Sequence, residues 1–253
     1  MSHTTAASDQ CTIVSGKVHL TGAGSCAVTA HQGGNANYNA APSVSRTFAI
    51  AKADQTITFA ALSNKTLGSA DFGVSATATS GLSVSFATAS TNCTVAGSTV
   101  HLLTIGTCTI TASQGGNINY NAAPNVDRSF KVLYRFDSFL QPINDTAHTQ
   151  TDMSVFKAGS TVPVKFQLKN IGGTAVQAAV LPQWVTPLQV GTTTAPVDES
   201  LYTDPPTAGT LFRWDGGQYI YNWQTSKSDA GKVIRIGARL DDGTTVYVNI
   251  GLR

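Results

Sequence analysis

Charge is scarce in this sequence. Lys, Arg, Asp and Glu make up 12% of its 253 residues, about half the usual quarter, and Glu199 is the single glutamate. The formal net charge is +2 and no Lys/Arg run occurs, which argues against a partner gripped by charge, whether a nucleic-acid backbone or an anionic lipid surface. Long apolar runs are missing too: none approaches the roughly 18 residues of a membrane-spanning helix. The first ten residues, MSHTTAASDQ, lack the basic start and apolar stretch of a signal peptide, and the last five, NIGLR, carry no sorting motif or hydrophobic tail.

Catalytic motifs are equally thin. The sequence holds no G-x-S-x-G elbow, no H-E-x-x-H, no G-x-x-x-x-G-K-[ST] and no dinucleotide fingerprint ahead of a helix. With one glutamate, a glycosidase pair would have to be built from aspartates, and most of these sit beside Gly or Pro in apparent turns. The expectation is a non-enzymatic protein with no cofactor and no metal.

What is present is repetition. Residues 11–50 reappear at 93–132, 82 positions later, with 22 of 40 positions identical. Duplication at domain-sized spacing marks a tandem array. The second copy is preceded by 39 residues of strand-like sequence, Asp54 to Asn92, and the first by only ten residues. Copy one thus reads as a sandwich without its opening strands, with an apolar face and a sheet edge left uncovered.

The four cysteines fall into two pairs, Cys11 with Cys26 and Cys93 with Cys108, each 15 positions apart and identically placed in its copy. That regularity favours one disulfide per copy over reduced thiols, and the close ligand clusters that zinc needs are absent. Paired cysteines persist in oxidising compartments, so the expected location is extracellular or on a cell surface, as part of a longer exported precursor.

Short alternating segments such as QTITF, GVSATATS, STVHL, TCTITAS and RSFKV, separated by Gly and Asn clusters every eight to ten residues, predict an all-β chain folded as sandwiches. The junction AIAKADQTITF is itself strand-like, so neighbouring modules should be stiffly joined. From Tyr134 the composition shifts, since all three Trp and Glu199 lie beyond it. Segments VPVKFQL, QYIYNWQ, VIRIGARL and TTVYVNI alternate as strands, with Asp241-Asp242-Gly243 as a tight hairpin turn.

The run DQTITFAALSNKTLGSADFGVSATATSGLSVSF, followed by CTV, GTCTITASQGGNINYNAAP and RSFKV, resembles the bacterial immunoglobulin-like repeats of long surface and secreted proteins, often termed MBG-type. The stretches YRFDSFLQPIND, FKAGSTVPVKFQLKN and GGQYIYNWQTSKSDAGKVIRIGARLDDGTTVYVNI resemble the PxKF domain, its motif being Pro163-Val164-Lys165-Phe166. These resemblances imply tandem Ig-like β-sandwiches: a truncated repeat over 3–50, a complete one over 54–132 and a PxKF-like domain over 134–253. They imply a spacer or adhesive role and no reaction.

Three features stand as candidate sites. His19 and His101 share a V-H-L context, and read as packing or edge residues in separate modules. Gln32–Pro42 and Gln114–Pro124 spell Q-G-G-N-x-N-Y-N-A-A-P and read as turn architecture, with the Tyr covering the sandwich end and the Pro opening the last strand. Trp214, Tyr219, Tyr221 and Trp223 form the richest aromatic group, either core or, if exposed, a strip for stacking on a glycan or host protein. Three functional readings follow: a stalk, spacer or fibre subunit; an adhesin using those aromatics; or a self-assembling unit whose truncated repeat is completed by another subunit, giving a homo-oligomer or filament.

Overall fold

The computed structural model describes residues 1–144 and 153–253; Asp145, which ends the YRFDSFLQPIND stretch, lies outside them. Module one contains β1 (Ser2–Thr4), β2 (Cys11–Val14), β3 (Lys17–Leu20), β4 (Gly24–Gln32) and β5 (Ala41–Ile50). β2 and β3 form a separate hairpin, while β1, β4 and β5 form a three-stranded sheet. Ser15 and Gly16 turn the hairpin with φ of 51° and 73°, the left-handed pair that matches the twist of adjoining strands.

Module two contains β6 (Ile57–Phe59), β7 (Lys65–Thr66), β8 (Phe72–Gly73), β9 (Ala76–Ala78), β10 (Ser85–Ala87), β11 (Cys93–Ala96), β12 (Thr99–Leu102), β13 (Gly106–Ser113) and β14 (Val126–Leu133). One layer has the order β10-β13-β14-β7 and the other β11-β12-β8, with β6-β9 as a further pair. Period-two alternation turns Cys108, Ile110 and Ala112 inward on β13, where they join Ile57, Phe59, Val100, Phe130 and Val132 in one core.

Register identifies what module one has kept. β1 pairs with β4 at Ser2↔His31, His3↔Ala30 and Thr4↔Thr29, just as β10 pairs with β13 at Ser85↔Ser113, Phe86↔Ala112 and Ala87↔Thr111. The few residues before Cys11 therefore supply the counterpart of β10, and the strands without a counterpart are β6 to β9. Of the five opening strands of module two, residues 1–10 hold the counterpart of one.

Module three contains β15 (Phe139–Leu140), β16 (Val155–Phe156), β17 (Thr161–Phe166), β18 (Gln183–Thr192), β19 (Arg213–Trp214), β20 (Tyr219–Gln224), β21 (Lys232–Arg239) and β22 (Thr245–Leu252). Its sheets run β15-β17-β20-β19 and β16-β22-β21-β18. Pro163-Val164-Lys165-Phe166 closes β17, with Val164 and Phe166 fully buried. Phe166 packs on Phe139, Phe212 and Tyr219 at 5.9, 5.0 and 5.3 Å between centroids. Pro163 fits an interior strand because Asn222 opposite it directs its N–H and C=O to Thr207. The proline therefore faces the outer edge, beyond the two residues that β15 pairs, and no ladder bond is lost.

Candidate functional site

The best-preserved loop of the repeat is a clamp on the chain that enters its own module. In module two, Gly116 has φ of 75°, and a Cβ there would collide with the Tyr120 carbonyl, so only glycine closes the turn. Gln114 Oε1 accepts from Gly116 N at 2.5 Å, and Asn117 Oδ1 accepts from the amides of Asn119 and Tyr120 at 2.8 and 3.0 Å. The fixed loop grips the incoming strand. Ala53 N donates to Asn119 O and Asn121 N donates to Ala53 O, both at 2.9 Å. Lys52 Nζ donates to Asn117 O at 2.8 Å and Asn121 Nδ2 to Asp54 Oδ1 at 2.8 Å. Buried Gln55 donates through Nε2 to Gln114 Oε1 and Asn121 O, both at 2.6 Å, and its Oε1 accepts from Ser80 Oγ. Asn119 Oδ1 reaches module one, accepting from Ala23 N at 2.9 Å.

Architecture is the role expected of this loop, and its two tyrosines differ in burial, Tyr120 being half-buried. Tyr120 runs beside Ala53 as a parallel bridge, and its counterpart Tyr38 is 74% exposed. Module one repeats the internal bonds of the loop: Gln32 Oε1 accepts from Gly34 N at 2.9 Å, and Asn35 Oδ1 from Asn37 N and Tyr38 N at 2.8 and 3.0 Å. This clamp is formed and, among the described residues, holds no strand.

The sandwich face beside it is open as well. Val18, Leu20 and Phe48 are 42%, 53% and 42% exposed, whereas their counterparts Val100, Leu102 and Phe130 are 0%, 7% and 2% exposed. In module two β8 pairs with β12 at Val100↔Phe72, and β7 pairs with β14 at Val132↔Lys65. Among the described residues, the corresponding edges of β3 and β5 have no neighbouring strand. Disulfides Cys11–Cys26 and Cys93–Cys108 pin the hairpin to the long sheet in both modules.

The aromatic group of module three is core, which corrects the alternative of an exposed binding strip. Tyr219 is buried with its hydroxyl accepting from Ala178 N at 2.5 Å, and Tyr221 is buried with its hydroxyl donating to Gly209 O at 2.8 Å. Burial pushes both phenols above their ordinary range. Trp214 and Trp223 are half-buried against the same core. Trp184, which sequence reading did not single out, stacks on Tyr221 from the opposite sheet at 4.5 Å and 5°. Alternation along β20 places these rings on one face; the layer supplied by β18 decides that the face is interior.

Other chemistry-bearing residues are engaged structurally. Glu199 Oε1 accepts from Ser154 Oγ at 2.8 Å and Asn144 Nδ2 at 3.2 Å. His101 Nδ1 lies 2.6 Å from Asp71 Oδ1 on the surface, and His19 lies in the other module. Among the described residues, no cluster of three or more His, Cys, Asp or Glu could hold a metal ion, and no helix is long and apolar enough to cross a membrane.

A second junction joins modules two and three. Ile171 N donates to Leu67 O at 2.8 Å. Buried Asp242, in the hairpin turn, accepts through Oδ1 from Thr244 N and Oγ1 at 2.8 and 2.6 Å and through Oδ2 from Tyr134 N at 3.1 Å. Burial, together with the charge and hydrogen bond of Asp241, pushes the Tyr134 phenol far above its ordinary range. Asp242→Ala should cost module three about 2–3 kcal/mol through the lost charge-assisted bonds. It should also speed amide exchange at Tyr134, the first residue of module three, measurable by exchange mass spectrometry during urea unfolding; unchanged exchange there would mean that the turn does not hold the start of the module.

No protein-family model matches the chain, and no curated protein does. Among solved structures, a chimeric titin Z1Z2-Z1Z2 tandem functionalised with a GRGDS peptide from fibronectin is similar over 78% of this chain and 99% of its own, at 15% identity and TM-score 0.27. Protocadherin gammaB7 EC3-6, a cis-dimer structure, is similar over 99% of this chain and 68% of its own, at 12% identity and TM-score 0.30. Surface layer protein SbsC, domains 4-9, is similar over 99% of this chain and 39% of its own, at 12% identity and TM-score 0.24. The strand order and paired layers described above make the chain all-β, a tandem of Ig-like β-sandwich modules.

Proposed function

We propose that this chain is a non-enzymatic extracellular segment serving as a stalk, spacer or fibre subunit. The observation that carries the reading is the pair of hydrogen-bonded junctions: modules one and two meet through Asn119 and the clamped Ala53, modules two and three through Leu67–Ile171. Modules joined only by a loose linker would lack such bonds. The accessible surface of 13935 Å² exceeds the about 10,600 Å² of a compact monomer of this mass, as a row of modules requires. One buried disulfide in each of modules one and two suits an oxidising exterior.

Small-angle scattering with negative-stain imaging tests the reading. The expected result is one extended particle with a narrow distribution of inter-module angles, broadened by Asn119→Ala, which removes the bond to Ala23 and about 1 kcal/mol. A wide distribution in the unaltered protein, insensitive to Asn119, would count against a spacer.

A further inference from the structure

A cleft at the end of β20 is built by residues that the spacer reading leaves idle. Along β20 Tyr221 and Trp223 join the core of module three, while Asn222 and Gln224 alternate with them on the other face and each anchors one wall. Gln224 Nε2 donates to Gly159 O at 3.1 Å, Gly159 N donates to Thr225 Oγ1 at 2.9 Å and Ser160 Oγ donates to Lys157 O at 2.6 Å, which fixes the loop 157–161. Opposite, Asn222 Nδ2 donates to Pro205 O at 3.0 Å, and the backbone of Asn222 is bonded to Thr207. Between these walls lies a cleft of about 420 Å³, preformed and of the size that takes a small ligand. We propose that it binds an acidic saccharide, a sugar chain bearing carboxylate or sulfate groups.

Charge selects the anion. Lys157 and Lys227 line the cleft, are exposed, and make no ion pair among the described residues. Asp204 in the same lining leaves the balance positive and can accept from sugar hydroxyls. Gly159 has φ of 85°, and a Cβ there would lie 2.7 Å from Lys227 Cγ, so the missing side chain lets the lysine stem lie across the loop. The rest of the lining suits a sugar ring. Tyr202 is half-buried against the core, and its hydroxyl is neither buried nor hydrogen-bonded among the described residues. Burial, helped by the charge of Glu199, pushes that phenol above its ordinary range, so it keeps its proton and can donate. With Pro205 and Pro206 it offers apolar surface to the C–H face of a sugar. Beyond the two prolines a second cleft of about 430 Å³ shares Asp204 and adds Arg213, a further cation for a chain that crosses the ridge. A peptide strand would instead need free backbone groups to pair with. The prolines have no N–H, and the backbones of Asn222 and Gln224 are taken by Thr207 and Thr161. The site goes beyond the spacer reading and does not rest on it.

Calorimetric titration of the full chain with hexasaccharides of hyaluronan, alginate, polygalacturonate and chondroitin sulfate tests the site, with maltohexaose as the neutral control and hexaglutamate as the peptide control. The expected result is saturable binding of an acidic hexasaccharide, at least about tenfold tighter than either control, with new amide-exchange protection in residues 157–161 and 201–204. Lys157→Gln combined with Lys227→Gln, both at exposed positions that do not endanger folding, should weaken that binding at least about tenfold. Tyr202→Phe, which keeps the ring on the core and removes the hydroxyl, should weaken it about three- to tenfold. No binding of any acidic hexasaccharide at about 5 mM would overturn the proposal. So would binding that the double lysine variant leaves unchanged, or hexaglutamate binding as tightly as the best saccharide, which would make the cleft a patch for acidic peptides. Particle shape in scattering is independent of all these outcomes, so failure of the cleft and failure of the spacer reading are separable.

Discussion

Phe130→Ala should destabilise module two by about 3–5 kcal/mol, while Phe48→Ala, the same substitution at the same place in the repeat, should cost module one less than about 1 kcal/mol. Phe130 is 2% exposed and meets Phe72 edge-on, so its removal forfeits transfer free energy, leaves a cavity and breaks an aromatic pair. Phe48 has water over much of its ring, and truncation there opens no cavity. The measurement is urea unfolding read by exchange protection in each module, because three linked modules do not share one two-state transition. Equal costs at the two sites would mean that the face around Phe48 is covered in solution.

Replacing Cys11 and Cys26 together by serine should abolish exchange protection across residues 24–32, whereas the same change at Cys93 and Cys108 should leave module two folded with about 3 kcal/mol less stability. A loop of this size gains similar chain-entropy stabilisation in either module. What differs is the rest of the core. Among residues 1–50 the buried apolar side chains are Cys11, Ala23 and Cys26, so the hydrophobic centre of module one is the disulfide itself. Module two retains Ile57, Phe59, Val100, Ile110, Phe130 and Val132 around its own. So small a core rarely holds without a staple. Persistent protection in the Cys11/Cys26 variant would show that the Asn119 contact and the sheet of β1, β4 and β5 suffice alone.

Much of this could be read from the chain before folding. The duplicated segment located two modules, the equal cysteine spacing paired each hairpin with its sheet, and the alternation in TCTITAS placed Cys108, Ile110 and Ala112 on one side. The hairpin turn at Asp241-Asp242-Gly243 followed from residue type, since Gly243 takes φ of 84°. These are local or near-local matters, set by period, turn chemistry and chain proximity.

Three outcomes needed the tertiary structure. The loop Gln114–Pro124 has the residues of an ordinary turn, and its grip on Ala53 and Gln55 joins positions about sixty residues apart. The face of Tyr219, Tyr221 and Trp223 became interior because Trp184 on another sheet lies over it. Val18 and Val100 sit in the same V-H-L, yet one is exposed and the other buried. Sequence determined which way each side chain of the repeat points, because that depends on its immediate neighbours. Only the fold decided what meets it there, because burial depends on strands that arrive from elsewhere, and for module one those strands have no counterpart among residues 1–50.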